Sequence, residues 1–245
     1  MGCNSSTPNS EPTSAAGGAA KGKNTLPEVA FEYFTGFGRG EPLEQMFVYH
    51  GQKFTKRDQD IAGGWEARKA AGDGGEFGGG LPQAFITDKG KSYRMAQFGA
   101  ILRSFGIRYG YYNPRDWKAC RYIDPVVDTF ADVLGAQAMV AFAQDDEGRK
   151  AGMEKFLGVI VKFAKLLEAN MAHHKGKFAA GNNITIADFV VAGLMQGVTR
   201  NKGSEYPFYA ECVKLLPACA GYMAYEERLI QALPHLSAQR PPYPF

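Results

Sequence analysis

The chain has 245 residues, a formal net charge of +3 and 45% apolar side chains, the composition of a soluble globular protein with a sizeable core. Its basic and acidic residues are interleaved, which disfavours a nucleic acid as the main partner because phosphate binding needs a concentrated basic face. No apolar run approaches the roughly 18–20 residues that span a bilayer. The four cysteines form no CxxC pair and no cluster with histidine, so we expect neither a disulfide framework nor a metal site.

Residues 1–25 differ sharply in composition from the rest of the chain. They are rich in Gly, Ala, Ser, Thr and Pro and hold almost no large apolar side chain, so we expect a disordered tail. Gly2 and Ser6 stand at the spacing of the myristoylation pattern, and the adjacent Cys3 is a candidate for palmitoylation. Two acyl chains anchor a protein stably where one does so marginally, so the tail predicts a cytoplasmic protein held peripherally on a membrane. The alternative is coincidence, since glycine near serine is common in polar tails.

Residues 26–112 alternate between strand and helix patterns. A spacing of two places Val29, Phe31 and Tyr33 on one face of a strand over residues 29–34. Glycines end that strand, and Pro42 begins a helix that stops at Gly51. The later elements are a strand, a hairpin about an Asp-Lys-Gly turn and a helix: residues 54–59, 84–87 with 92–95, and 97–108. This order predicts a thioredoxin-like α/β domain.

Residues 113–245 are helical in pattern throughout. A long amphipathic helix is indicated by apolar residues at helical spacing: Phe156, Ile160, Phe163, Leu167 and Met171. Thr185 and Asp188 have the spacing of a capping box at the start of another helix, to which we assign no catalytic role. The fold class is therefore α/β followed by all-α, with a domain boundary at residues 113–117.

Five motifs, taken together and in order, resemble the tyrosine-type cytosolic glutathione transferases, most closely the sigma class. They are residues 33–41 (YFTGFGRGE), Trp65 with Lys69, Leu81-Pro82, Gln97 followed by Ala100-Ile101, and residues 123–132; the cap at residues 183–188 also matches. The resemblance covers about residues 26–233 and implies the glutathione-transferase fold. The implied activity is detoxifying conjugation of the thiolate of glutathione, the substrate, to a small electrophile; isomerase or peroxidase activity would use the same thiolate.

The resemblance implies a role for each matching residue. Tyr33 would donate a hydrogen bond to the sulfur of glutathione, and the charge of Arg39 would favour the same thiolate. From the pattern alone, Tyr33 could equally be a core residue of an amphipathic strand. The resemblance also implies a hydrophobic substrate pocket, for which the candidates are Phe34, Phe37 and Met139.

Glutathione itself would be held by residues spread over the first half of the chain. Trp65 and Lys69 match residues at its glycine end, and Leu81 before a cis Pro82 would pair with its cysteine. Its γ-glutamyl end would meet Gln97 and the backbone of Phe98. Asp132 would reach that end from a second subunit, which implies a homodimer, although Asp128 and Asp132 could be only a solvated acidic stripe.

Two residues depart from the family pattern. Phe98 stands where the family has Ser or Thr, and Gly80 stands where sigma-like members have lysine. A lost hydrogen bond to a charged group weakens binding by about 1.5–3 kcal/mol. The alternative function is therefore a weak or inactive glutathione-transferase-like protein, serving for binding or structure at a membrane. A thiol–disulfide oxidoreductase is a third possibility, which the missing CxxC opposes.

Overall fold

The computed structural model describes residues 26–59, 64–72, 80–237 and 243. Gly2 and Cys3, and with them the predicted lipid anchor, lie outside these residues. No helix within the described ranges is long and apolar enough to cross a membrane.

The first half is a four-stranded mixed sheet with three helices. In chain order the elements are β1 (Glu28–Phe34), α1 (Glu41–His50), β2 (Phe54–Gln59), α2 (Gly64–Ala70), β3 (Gln83–Asp88), β4 (Lys91–Ala96) and α3 (Phe98–Tyr109). The sheet order is β2-β1-β3-β4, in which β1 runs parallel to β2 and antiparallel to β3. This is the thioredoxin-like arrangement that the element order predicted.

Local chemistry explains where these elements end. Gly51, with φ of 76°, closes α1 and returns its N–H to the carbonyls of Phe47 and Val48. The β3–β4 hairpin turns at Lys89 and Gly90, both at positive φ, as the tight turns that match strand twist require. The sequence therefore specifies the lengths of these elements through a few turn residues.

The second half consists of helices, which surround the larger part of the core. They are α4 (Trp117–Ala141), α5 (Asp146–His174), α6 (Ile186–Leu194), which continues into a π-helical turn (Met195–Thr199), α7 (Phe208–Leu215) and α8 (Ala220–Ala232). The predicted apolar face of α5 is confirmed, since Phe156, Ile160, Phe163 and Leu167 are fully buried and Met171 packs against them.

The two halves pack closely along α1 and α6. A Cβ at Gly193 of α6 would lie 2.5 Å from the ring of Pro42 in α1, so glycine permits the close approach of these helices. A second contact joins α3 to α4, where the rings of Phe98 and Phe130 lie 5.5 Å apart. These contacts place the carboxyl end of β1 opposite α4.

The predicted capping box at the start of α6 is present. One oxygen of Asp188 accepts the backbone N–H and the hydroxyl of Thr185, at 2.8 and 2.9 Å. The other oxygen accepts the N–H of Ala179 at 2.9 Å and the hydroxyl of Tyr225 at 2.7 Å. Burial raises the pKa of this carboxyl, and the four donors oppose the shift. Asp188 thus joins α6, α8 and the loop before α6.

Candidate active site

Tyr33 lies at the end of β1, where the chain turns tightly around its ring. The side chain is 8% exposed. A Cβ at Gly38 would collide with its hydroxyl oxygen, and a Cβ at Gly40 would lie 2.5 Å from its ring carbon Cδ1. The glycines that follow the strand are therefore needed for space, because only a residue without a side chain leaves room for the tyrosine ring.

The hydrogen bonding of the Tyr33 hydroxyl leaves its proton available. The oxygen accepts the backbone N–H of Arg39 at 2.9 Å. Burial raises the pKa of Tyr33, opposed by this hydrogen bond and by the charges of Arg39 and Lys56. The hydroxyl is consequently neutral at physiological pH. It can donate a hydrogen bond, because it acts towards Arg39 as an acceptor and its proton is not used in that contact.

Tyr33 opens onto a cavity of about 320 Å³ between the two halves of the chain. The wall from the first half is formed by Tyr33, Phe34, Gly38, Arg39 and Glu66. The opposite wall is one face of α4 and the residue after it: Leu134, Gln137, Ala138, Ala141 and Phe142. Three fifths of the Phe142 side chain is exposed, which places it at the mouth. A largely apolar cleft with a few polar groups is typical of a small-molecule site.

The structure separates the three predicted pocket residues. Phe34 lines the cavity, whereas Phe37 and Met139 do not. Phe37 is buried against the ring of Tyr243 at 5.0 Å. Met139 is 44% exposed, because the helical repeat of α4 turns it away from the face that carries Ala138 and Ala141.

Sequence reasoning missed the α4 wall, of which Gln137 is the polar member. The available signal was the helical spacing of Leu134, Ala138 and Ala141, in which small residues leave space on one face. A pattern of this kind identifies a helix face but does not say whether the face meets a core or a cavity.

The predicted residues of the glycine end lie on α2. Trp65 is buried, with the guanidinium of Arg68 5.3 Å from its ring. Lys69 forms an ion pair with Glu66 at 2.6 Å, and Glu66 borders the cavity. Any anion held by Lys69 would therefore compete with the carboxylate of Glu66.

The residues predicted for the cysteine and γ-glutamyl ends lie between β3 and α3. Leu81 is buried, and its bond to Pro82 is cis. Gly80 and Gln97 are adjacent, because a Cβ at Gly80 would lie 3.0 Å from Nε2 of Gln97. Gln97 adopts a φ of 72°, rare for a residue other than glycine and a conformation often found at functional sites.

Phe98 and Asp132 occupy different environments. The ring of Phe98 turns inward onto Phe130, while its backbone begins α3, where N–H groups have no partner within the helix. Asp132 is exposed on α4 and does not border the Tyr33 cavity. Its neighbour Asp128 forms an ion pair with Arg103 at 2.9 Å.

The charge of Arg39 faces solvent at the rim of the cavity. Its side chain is exposed, and no ion pair joins it to a residue in the described ranges. Those same ranges contain no cluster of three or more His, Cys, Asp or Glu residues that could hold a metal ion.

A mixed thioredoxin-like sheet followed by a helical second half is the arrangement of the glutathione-transferase fold. Residues 131–234 match the family model described as glutathione S-transferase, C-terminal domain. Over 172 residues the chain is 24% identical to the class-mu 28 kDa glutathione S-transferase isozyme of Schistosoma japonicum, covering 70% of this chain and 81% of that one. Over 162 residues it is 29% identical to glutathione S-transferase P 10 of Caenorhabditis elegans, covering 65% and 70% respectively.

Solved structures agree on the fold. A Nu-class glutathione S-transferase from Haemonchus contortus superposes with a TM-score of 0.66 at 24% identity, covering 90% of this chain and all of that one. The fold is therefore that of the glutathione S-transferases, and residues 131–234 match the model of their C-terminal domain.

Proposed function

We propose that this protein transfers glutathione, through its sulfur, to electrophilic small molecules bound in the cavity beside Tyr33. The observation that carries the proposal is the Tyr33 hydroxyl, which accepts the N–H of Arg39 at 2.9 Å and keeps a proton to donate. The named relatives and the family model support the reaction class.

The chemistry follows from the need to form a thiolate near neutral pH. A free thiol with a pKa of about 8.5 is mostly protonated there, and the thiolate is the nucleophile. A hydrogen bond from Tyr33 and the nearby charge of Arg39 both favour the anion, so the thiol proton passes to solvent. The sulfur then forms a bond to an electrophilic carbon, and the electrons of the broken bond leave with the departing group.

The remaining glutathione contacts belong to the same proposal. Leu81 would pair through its backbone with the cysteine, and Pro82 holds the chain in the required direction. The γ-glutamyl carboxylate would meet Gln97 and the N–H of Phe98, while the glycine carboxylate would meet Trp65 and Lys69. Residues 26–112 form the glutathione-binding domain and residues 113–245 the helical domain. The sigma class and isomerase or peroxidase activity on the same thiolate also remain proposals.

Asp132 belongs to a homodimeric form of this site. Its exposure on α4 is compatible with service to a second subunit, which would use it at the γ-glutamyl end of its own glutathione.

The N-terminal tail would hold this enzyme on a membrane through acyl chains on Gly2 and Cys3. We expect Gly2→Ala to move the protein into the soluble fraction of expressing cells. Cys3 is palmitoylated only after the myristoyl chain on Gly2 has brought it to the membrane, so this variant should lose both acyl chains. The fraction is read by ultracentrifugation, with Ser5→Ala as the matched control. A Gly2→Ala protein that stays in the membrane pellet would exclude this anchor.

A catalytically weak binding protein is the second candidate. It is favoured by Phe98, whose ring packs on Phe130 where the family has a hydroxyl that could bind the carboxylate. It is opposed by the cleft around Tyr33, since a protein without catalysis has no need of a donor there.

Calorimetric titration with glutathione, paired with a conjugation assay, separates the two candidates. We expect binding, together with conjugation of 1-chloro-2,4-dinitrobenzene that falls about ten- to hundredfold in Tyr33→Phe. Tyr93→Phe, on an exposed tyrosine of β4, is the control and should keep full activity. Absence of binding at millimolar glutathione would replace the enzyme by an inactive glutathione-transferase-like protein that serves for binding or structure at a membrane.

A further inference from the structure

Gln137 is a buried polar residue on the wall of the candidate active-site cavity. The residue lies on the α4 wall of the cavity that Tyr33 borders, and its side chain is 95% buried, with 5% relative exposure. Its Nε2 is buried and has no hydrogen-bond partner among the residues that the structure describes. The side chains of Glu32 and Gln45 also hold a buried oxygen without a hydrogen-bond partner in the described ranges, and neither residue borders the cavity.

An amide in this state lowers the stability of the fold. A buried donor without an acceptor destabilises the fold, and an apolar side chain of the same length would avoid this loss of stability. The neighbouring positions on the same wall, Leu134, Ala138 and Ala141, are apolar. The presence of an amide donor at Gln137 is explained if a molecule bound in the cavity supplies the missing acceptor.

We propose that Gln137 is a specificity-determining donor, which selects electrophiles whose reacting carbon is conjugated to a carbonyl oxygen. The terminal amide torsion is broad, so rotation brings Nε2 to an oxygen held between α4 and Tyr33. This inference deepens the proposed function and rests on it.

The chemistry of conjugated carbonyls matches this donor. The thiolate forms a bond to the β-carbon, and the electron pair of the carbon–carbon double bond shifts until the carbonyl oxygen carries the negative charge of an enolate. The Gln137 N–H donates to that oxygen as the charge develops. A proton from water then adds to the α-carbon, and no group leaves. A hydrogen bond that strengthens as charge develops lowers the barrier more than it tightens substrate binding.

Two electrophiles with the same aromatic ring test the inference. Benzylideneacetone is an enone, whereas benzyl chloride reacts by displacement and has no oxygen or nitrogen acceptor. In Gln137→Met, which keeps the length and removes the donor, we expect kcat/KM to fall about ten- to hundredfold for the enone. The benzyl chloride value should stay within about twofold. Leu134→Met, a change of shape on the same wall, is the control and should lower both values to the same small extent.

Stability and binding give independent readouts. The Tm of Gln137→Met should equal or exceed that of the wild type, because an unsatisfied donor is removed. The glutathione conjugate of benzylideneacetone keeps its ketone and should lose affinity in Gln137→Met by about tenfold, while S-benzylglutathione should not. Equal losses for both electrophiles, or no loss for the enone and its conjugate, would overturn the role of Gln137. A wild type that turns over neither electrophile would overturn the proposed function instead, and the two conjugates would still test the donor.

Discussion

Tyr33, the residue that we propose as donor to the thiol, is positioned by backbone and by glycines that have no side-chain chemistry of their own. Gly38 and Gly40 leave space for its ring, and the backbone of Arg39 occupies the acceptor side of its hydroxyl. The direction in which the hydroxyl can donate is thus fixed by backbone geometry.

The glycine at position 40 gives a test of this positioning. Its backbone is in the right-handed helical region, so alanine fits the local conformation, but the new Cβ would lie 2.5 Å from Tyr33 Cδ1. We expect Gly40→Ala to lower the free energy of unfolding by about 1–3 kcal/mol and to reduce conjugation, because the ring must move. Gly135→Ala, on α4 with nothing within 4 Å of the added Cβ, should instead be neutral or stabilising by about 0.5–1 kcal/mol. If the two variants unfold at the same urea concentration, Gly40 is not needed to leave space for the Tyr33 ring.

Single residues also mark the limit of prediction from this sequence. Tyr33 and Phe34 could be placed because a strand pattern and a short motif fix them relative to a turn. The environments of Phe37 and Met139 could not be predicted. Neighbouring residues on one loop or helix point in different directions, and this difference alone decides whether a side chain meets the cavity. Gln137 gave no signal, because a buried unsatisfied amide is visible only once its surroundings are known.

At the scale of the element, α6 depends on one carboxylate more than on its own helical propensity. Asp188 accepts hydrogen bonds from the loop before the helix, from the helix cap and from Tyr225 on α8. The sequence revealed the local half of this arrangement through the Thr-x-x-Asp spacing. Ala179 lies nine residues before Asp188 and Tyr225 lies 37 residues after it, and neither contact has a spacing pattern from which it could be predicted.

The two halves of the cap should differ in their effect on stability. We expect Thr185→Ala to lower the free energy of unfolding by about 1 kcal/mol. Asp188→Ala should lower it by more than about 3 kcal/mol, because four donors lose their acceptor, and those on Ala179 and Tyr225 are buried. Asp145→Ala, which removes the exposed cap of α5, is the matched control and should cost about 1 kcal/mol. The values come from chemical denaturation, and an Asp188→Ala loss no larger than that of Asp145→Ala would show that the network contributes little.

Most other elements follow from the sequence for local reasons. β2 spans the predicted residues, and the hairpin and α1 agree to within one residue because their turn residues permit few conformations. The π-helical turn after α6 was not predicted. Its residues, Met195–Thr199, are nearly all buried and have no distinctive spacing, so tertiary packing decides their conformation.

At the scale of the whole molecule, the cavity exists because two halves of different architecture meet. The contact of Pro42 with Gly193 and that of Phe98 with Phe130 hold α4 opposite the end of β1. The cavity therefore lies at the junction of the two halves, where Tyr33 of the first half faces α4 of the second. Phe98 therefore helps to pack the two halves together in this chain. This packing role explains why the fold is kept although Phe98 has no hydroxyl.

The central claim is that Tyr33 stabilises the thiolate of bound glutathione, and the pKa of that thiol tests it most directly. The thiolate is followed by its ultraviolet absorption as pH is varied, in the wild type, Tyr33→Phe and the Tyr93→Phe control. A donor that favours the anion lowers the pKa, so the bound thiol should titrate below the free value of about 8.5 in the wild type and in Tyr93→Phe. In Tyr33→Phe the pKa of the bound thiol should rise towards the free value, and the pH profile of kcat/KM should shift to higher pH with it. A bound thiol that titrates at the same pH in all three proteins would contradict the role of Tyr33.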